Sequence, residues 1–140
     1  MKLVFCLLFL IFCSSGVAQE KSFLIKNEVC DGGISNYYVA TYTIHNDSTY
    51  TYRQYNYLNK KDWRSFTEIE PTIIENGILV ESGKYFDFIE IRSGKKIKRN
   101  GKFKMSENLL IYYFDKGNGK MGRGAVYKLT DRLTEQKVSG

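Results

Sequence analysis

Turn-forming residues interrupt this chain at short intervals, and no apolar pattern at i, i+3, i+4, i+7 persists for three helical turns. The turn sites are Asp31-Gly32-Gly33, Asn46-Asp47-Ser48, Asn76-Gly77, Ser93-Gly94, Asn100-Gly101, Ser106-Glu107-Asn108 and the glycine-rich stretch 117–124. Between them lie short runs of Tyr, Phe, Ile, Val and Thr, residues that suit a pleated, half-buried surface. Short strands divided by regular turns indicate an all-β sandwich or barrel. Asn-Gly supplies the positive φ that both central residues of a tight hairpin turn require. Asn76-Gly77 is therefore expected to join TIIE to ILVE, and Asn100-Gly101 to join KKIKR to KFKM. FDFIEIR (86–92) sets Phe86, Phe88, Glu90 and Arg92 against Asp87, Ile89 and Ile91. LLIYYF (109–114) is apolar on both faces and reads as a central strand, and AVYKLT (125–130) is expected to close the sheet. Pro71 falls between strands. Consecutive hairpins make an antiparallel meander, and closing it into a barrel of about eight strands removes its exposed edges.

The start of the chain has a different character. Lys2 precedes an unbroken apolar run from Leu3 to Phe12, followed by Cys13-Ser14-Ser15-Gly16-Val17-Ala18. A charged start, a short apolar stretch and a small-residue exit are the parts of a secretory signal peptide. The run is shorter than the ~20 residues needed to cross a bilayer core. Residues 1–18 are read as the signal peptide, cleaved before Gln19, and residues 19–140 as a single all-β domain, secreted or periplasmic and without a membrane span. Phe12 before Cys13 does not fit a lipid-attachment site. Lys2 is the one charged residue before Gln19, so 20 of the 21 basic and all 15 acidic residues remain, a net charge of +5. Such a mild excess can favour anionic surfaces or glycans but more often acts as a solubilising bias. Only Cys30 of three cysteines follows residue 18, which excludes an internal disulfide. It is expected to be a small buried hydrophobe, with an intermolecular disulfide or a reactive thiol as alternatives.

Seven tyrosines crowd the run YYVATYTIHNDSTYTYRQYNY, residues 37–57. A three-residue loop at Asn46-Asp47-Ser48 sets Ile44 opposite Tyr50, Tyr42 opposite Tyr52 and Tyr38 opposite Asn56. One face then collects Tyr38, Ala40, Tyr42, Ile44, Tyr50 and Tyr52, as a core face. The other collects Thr41, Thr43, Thr49, Thr51 and Arg53, as a solvated face. A one-residue slip would mix the two sets, which favours this register. Tyr37, Tyr55 and Tyr57 share the polar parity, and rings placed there are candidates for a ligand or partner surface. Trp63, the chain's one tryptophan, joins that set.

Candidate chemistry is sparse. With one histidine, His45, one Cys and no clustered carboxylates, neither a zinc site nor a cofactor is expected. A Cys30–His45 dyad would lack an orienting third group. GNGKMG (117–122) satisfies G-x-G-x-x-G, but a strand pattern follows it where a dinucleotide fingerprint needs a helix, so it reads as a hairpin loop. GKKIKRNGKFK (94–104) gathers Lys95, Lys96, Lys98, Arg99, Lys102 and Lys104 around one expected hairpin, a weak anion site or a lysine-guarded edge. Export argues against nucleic acid as a partner. Asn46-Asp47-Ser48 is also an N-x-S sequon.

NGKFKMSENLLIYY (100–113), ESGKYFDF (81–88) and VYKLT (126–130) resemble recurring units of small bacterial lipocalin-like proteins, and NDSTYTY (46–52) resembles a strand start found both there and in the N-terminal barrel of NlpE-type envelope lipoproteins. The resemblance implies an antiparallel barrel with an open end that binds something apolar or another envelope protein. NlpE-type proteins carry a C-x-x-C near this position, whereas this chain has EVCDGG, so thiol-based metal sensing does not carry over. The expectation is an exported, non-enzymatic binding module for a small apolar ligand. The alternative is an envelope or extracellular protein- or glycan-interaction domain that uses the exposed tyrosines and the basic hairpin.

Overall fold

The computed structural model describes residues 20–131. They form nine strands and one short helix: β1 (Lys21–Asp31), β2 (Ile34–Ile44), β3 (Thr49–Tyr57), α1 (Lys60–Ser65), β4 (Ile73–Ser82), β5 (Tyr85–Arg92), β6 (Lys95–Lys98), β7 (Lys102–Met105), β8 (Leu109–Asp115) and β9 (Met121–Leu129). Every pairing is antiparallel. The sheet runs β4-β3-β2-β1-β9-β8-β7-β5, and β5 pairs back onto β4. The result is a closed eight-stranded β-barrel with β6 as an extra strand. AVYKLT does close it, through β9 on β1, by the pairs Phe23↔Leu129 and Leu24↔Lys128.

The β2–β3 hairpin has the register that its alternation implies. Ile44 pairs with Tyr50, Tyr42 with Tyr52 and Tyr38 with Asn56, and the His45 N–H bonds the Thr49 carbonyl at 2.9 Å. The loop turns through Ser48 at φ 62°. In β5, Phe86 and Phe88 pack among the barrel rings with Phe103. That interior is aromatic: Phe23, Tyr42, Tyr50, Phe88, Phe103 and Leu110 form its dry centre.

Both Asn-Gly pairs depart from expectation. Gly77 is not in a turn; it lies within the continuous β4, opposite Tyr50 on one side and Glu90 on the other. A Cβ there would stand 2.6 Å from the Tyr50 ring and would overlap the Ile89 carbonyl oxygen. Glycine is present because a ring and a backbone approach too closely for any side chain. The chain instead reverses between Ser82 and Tyr85, where Gly83 has φ 63°. Asn100-Gly101 is not a hairpin turn either. β6 and β7 do not pair with one another; both lie along β5, with Ile89↔Lys98 and Phe86↔Phe103. Four residues of that strand thus span two of β5, and Asn100-Gly101, with Gly101 at φ 88°, forms the bulge that absorbs the excess.

The face expected to be solvated is also corrected. Thr41, Thr43 and Thr51 are buried. Ser22 and Thr43 hydroxyls pair at 3.1 Å, and Thr51 Oγ1 donates to Asn76 Oδ1 at 2.9 Å. Further along that face, Val39, Tyr55, Tyr57 and Phe66 make a second cluster outside the barrel, with Leu24, Tyr37 and Trp63 around it. The segment from Leu58 to Thr72 supplies its cover. Asn59 caps α1, its Oδ1 accepting from the Asp62 N–H at 2.9 Å, and Phe66 ends the helix in the left-handed region.

Candidate functional site

Connections alternate between the two ends of such a barrel. The β1–β2, β3–β4, β5–β6 and β8–β9 connections lie at one end, called here the open end. The β2–β3, β4–β5 and β7–β8 turns lie at the other, with the outer ends of β1 and β9. Inward-facing side chains change character along this axis. The deep rings are nearly inaccessible, whereas Asn27, Tyr38, Tyr52, Gln54, Tyr112 and Tyr127 are only half-buried.

Arg99 organises that upper layer. Its guanidinium donates to the Tyr42 hydroxyl at 3.3 Å, lies 5.4 Å from the centre of the Tyr52 ring, and is ion-paired with Glu75. Tyr52 donates to Gln54 Oε1 at 2.8 Å, Gln54 to Asn56 Oδ1 at 3.0 Å, and Asn27 to the Tyr38 hydroxyl at 2.7 Å. Tyr127 meets the Tyr42 ring edge-on at 5.1 Å. Burial holds the Tyr42 and Tyr127 phenols far above the ordinary tyrosine range, neighbouring phenols reinforce this, and the Arg99 charge opposes it. These hydroxyls therefore stay neutral at physiological pH, and the Arg99–Glu75 pair is self-compensating. The layer offers aromatic walls with neutral donors and acceptors.

The residues singled out from the sequence fall elsewhere. Tyr55 and Tyr57 are 8 % and 7 % exposed, so they are not surface rings. Tyr55 meets Phe66 edge-on at 5.3 Å, and Tyr37 lies 5.4 Å from Trp63. The Tyr57 hydroxyl donates to the Thr67 carbonyl at 2.8 Å, and burial pushes its pKa up to about 12. Trp63 Nε1 donates to the Tyr38 carbonyl at 3.1 Å, and Lys26 Nζ to the Arg64 carbonyl at 2.6 Å. The structure does bring Tyr37, Tyr55, Tyr57 and Trp63 together, but as the packed seat of the α1 segment.

The basic stretch is not one hairpin of free cations. Lys95, Lys96 and Lys98 are exposed on β6, Lys98 lying 3.6 Å from Asp87. Arg99 turns inward. Lys102 donates to Ser82 Oγ at 2.9 Å. Cys30 is exposed rather than buried, 3.2 Å from Ser35 Oγ near the open end. His45 lies at the opposite end between Glu20 and Thr51, so the two cannot form a dyad. Residues 117–122 form the β8–β9 loop and the start of β9, with no helix. Asn46 is exposed in its turn. No helix among the described residues is long and apolar enough to cross a membrane. The signal-peptide reading concerns residues outside the described ones.

Tyr38, Tyr52, Gln54, Tyr112, Tyr127 and Glu75 are not recognisable from the sequence as members of one layer, and Arg99 stands there among apparent surface cations. The alternation of KKIKR carried a signal, because Arg99 shares parity with Ile97 rather than with Lys98. Comparison with protein-family models, curated proteins and solved structures finds no match for this chain.

Proposed function

We propose that this chain is an exported, non-enzymatic, lipocalin-like binding module whose barrel takes a small, largely apolar ligand through its open end. The observation that carries the reading is the gradient along the interior, from a dry aromatic floor to a half-exposed layer of phenols and amides around Arg99. Ligand sites of this kind combine apolar walls with a few placed polar groups. Here the walls are Tyr38, Tyr52, Tyr112 and Tyr127, while Arg99, Asn27 and Gln54 can meet a ligand's polar end. The alternative, a protein- or glycan-interaction domain, loses support because Tyr55 and Tyr57 are covered by α1 and Phe66.

Native mass spectrometry and thermal melts of the barrel-forming chain with fatty acids, long-chain alcohols and phospholipids test this. A ligand at a hundred times its Kd stabilises by about 2.7 kcal/mol, which raises Tm by about 10 °C in a domain of this size. The paired replacement Glu75→Gln with Arg99→Met leaves no unpaired charge inside, and it is expected to weaken such binding about tenfold. No bound mass and no Tm shift with any of these classes would overturn the reading.

A further inference from the structure

The outer surface is sharply asymmetric along the barrel axis. Of the eleven large hydrophobics exposed among the described residues, only Val80 and Leu129 lie toward the far end. The others ring the open end. Ile34 follows the β1–β2 turn, Leu58 is fully exposed after β3, Ile74 opens β4, Ile91 and Ile97 flank the β5–β6 turn, and Phe114 ends β8. Cations share this rim. The β5–β6 hairpin carries Lys95 and Lys96 together with Arg92, paired to Glu90, and Lys98, near Asp87. The β8–β9 connection adds Lys116, Lys120 and Arg123, and the α1 segment Lys60, Lys61 and Arg64, so the rim stays net positive against Glu28, Asp31, Asp62, Glu68, Glu70 and Asp115. The far end leans slightly the other way: Glu20, Asp47, Glu81, Glu107 and Asp131 face Lys21, Lys84, Lys104 and Lys128 there.

We propose that the open end docks on an anionic lipid bilayer, with Ile34 and Leu58 entering the headgroup layer and the β5–β6 and β8–β9 cations meeting lipid phosphates. Fully exposed aliphatic side chains are unfavourable in water and favourable at the acyl boundary, while each cation near an anionic leaflet adds attraction. A purely polyanionic partner would use the lysines and leave Ile34, Leu58 and Ile74 in water, so a lipid surface accounts for more of the rim. Docked this way, the barrel would present its half-exposed interior layer to the membrane. The surface is independent of what the interior holds.

The test is cosedimentation with unilamellar vesicles, using the chain from Gln19 onward. All nine strands lie within residues 20–131, and the apolar run at residues 3–12 would itself partition into lipid. Vesicles of phosphatidylcholine mixed with phosphatidylglycerol are expected to bind the protein more tightly than phosphatidylcholine alone, and the difference should shrink with salt. Lys95→Gln with Lys96→Gln should weaken binding to the anionic vesicles by about fivefold per charge. Ile34→Ser with Leu58→Ser should weaken it about tenfold, while Lys84→Gln with Leu129→Ser at the far end should leave it unchanged. Equal binding to both vesicle types, or equal loss from the far-end variant, would overturn the proposal. Retention on a heparin matrix without vesicle binding would also overturn it, and would assign the rim to a soluble polyanion.

Discussion

Replacing Gly77 with alanine tests the least expected part of the fold. Were Asn76-Gly77 a hairpin turn, the added methyl would meet only water and the cost would be confined to the left-handed backbone, about 1 kcal/mol. Were the position an open strand site, alanine would stabilise by roughly 0.5–1 kcal/mol, because glycine loses more backbone freedom on folding. The structure demands the opposite sign. The Cβ would stand 2.6 Å from the Tyr50 ring and overlap the Ile89 carbonyl oxygen. That carbonyl belongs to the β4–β5 ladder, where Gly77 pairs with Glu90 and Ile78 with Ile89, so moving it disturbs barrel closure. Tyr50 is 1 % exposed and its ring centre lies 4.7 Å from that of Phe88, tilted against it, so the ring has little room to retreat. Overpacking a filled core costs about 1–3 kcal/mol, and a backbone collision places this case at the top of that range, near 3 kcal/mol. At roughly 4 °C per kcal/mol, Tm should fall by about 12 °C. Urea unfolding followed by far-UV circular dichroism measures the change, with an unaltered m value showing that the two end states are the same. Combining Gly77→Ala with Tyr50→Leu should give less than the sum of the single effects, since the smaller side chain removes the ring but not the carbonyl. A Gly77→Ala protein as stable as the parent would refute the placement of Gly77 beneath Tyr50.

Other positions give independent checks. Thr41 is fully buried and its hydroxyl has no hydrogen-bond partner, so Thr41→Val, which keeps the shape, should stabilise by about 1 kcal/mol in the same urea assay. Burial raises the pKa values of Tyr42, Tyr50, Tyr52, Tyr55, Tyr57 and Tyr127. The unfolded chain loses these protons near pH 10 while the folded chain retains them. The stability these tyrosines contribute should therefore be constant below that pH and fall as pH rises through 10 toward about 12, the folded value for Tyr57. Tyrosinate absorbance should lag in the folded protein and jump at the alkaline unfolding step; smooth ionisation near pH 10 without unfolding would contradict it. Phe66→Ala should cost about 3 kcal/mol and expose Trp63 to water, read as a red shift of its emission. Because Trp63 packs outside the barrel, the same emission should be insensitive to a ligand inside it.

How much of this was legible depends on which physical signal each residue carried. The β2–β3 register could be read because Tyr and Thr alternate cleanly and the loop length allows only one partition of the faces. Phe86 and Phe88 were legible for the same reason. Asn-Gly misled twice, because glycine answers to three different demands. A tight turn is one; the close approach of the Tyr50 ring at Gly77 and a bulge at Gly101 are the others, and those depend on partners distant in sequence. The burial of Thr41 and Thr51 was hidden because their hydroxyls look solvated in sequence, whereas Thr51 is hydrogen-bonded to Asn76 and His45 and Thr41 is fully enclosed. Six residues of helix carry too little periodicity to announce themselves, although Asn59 with Asp62 three residues later is a capping signal. The Arg99 layer was illegible because its members come from β1, β2, β3, β4, β8 and β9 and the β6–β7 bulge.

The join between β1 and β9 has a temporal consequence. It consists of two register pairs and a Thr130-to-Ser22 hydrogen bond at 2.8 Å, made between the first and last strands. Holding Phe23 and Leu129 together in an otherwise disordered chain carries a loop-closure penalty on the order of 4 kcal/mol. Nothing local offsets that penalty early, so the β2–β3 and β4–β5 hairpins should zip first and the ring should shut last. A chain emerging in order from a ribosome or a translocation channel thus remains an open, curved sheet until its final strand arrives. Deleting β9 should leave a long-lived, aggregation-prone intermediate rather than a smaller folded barrel.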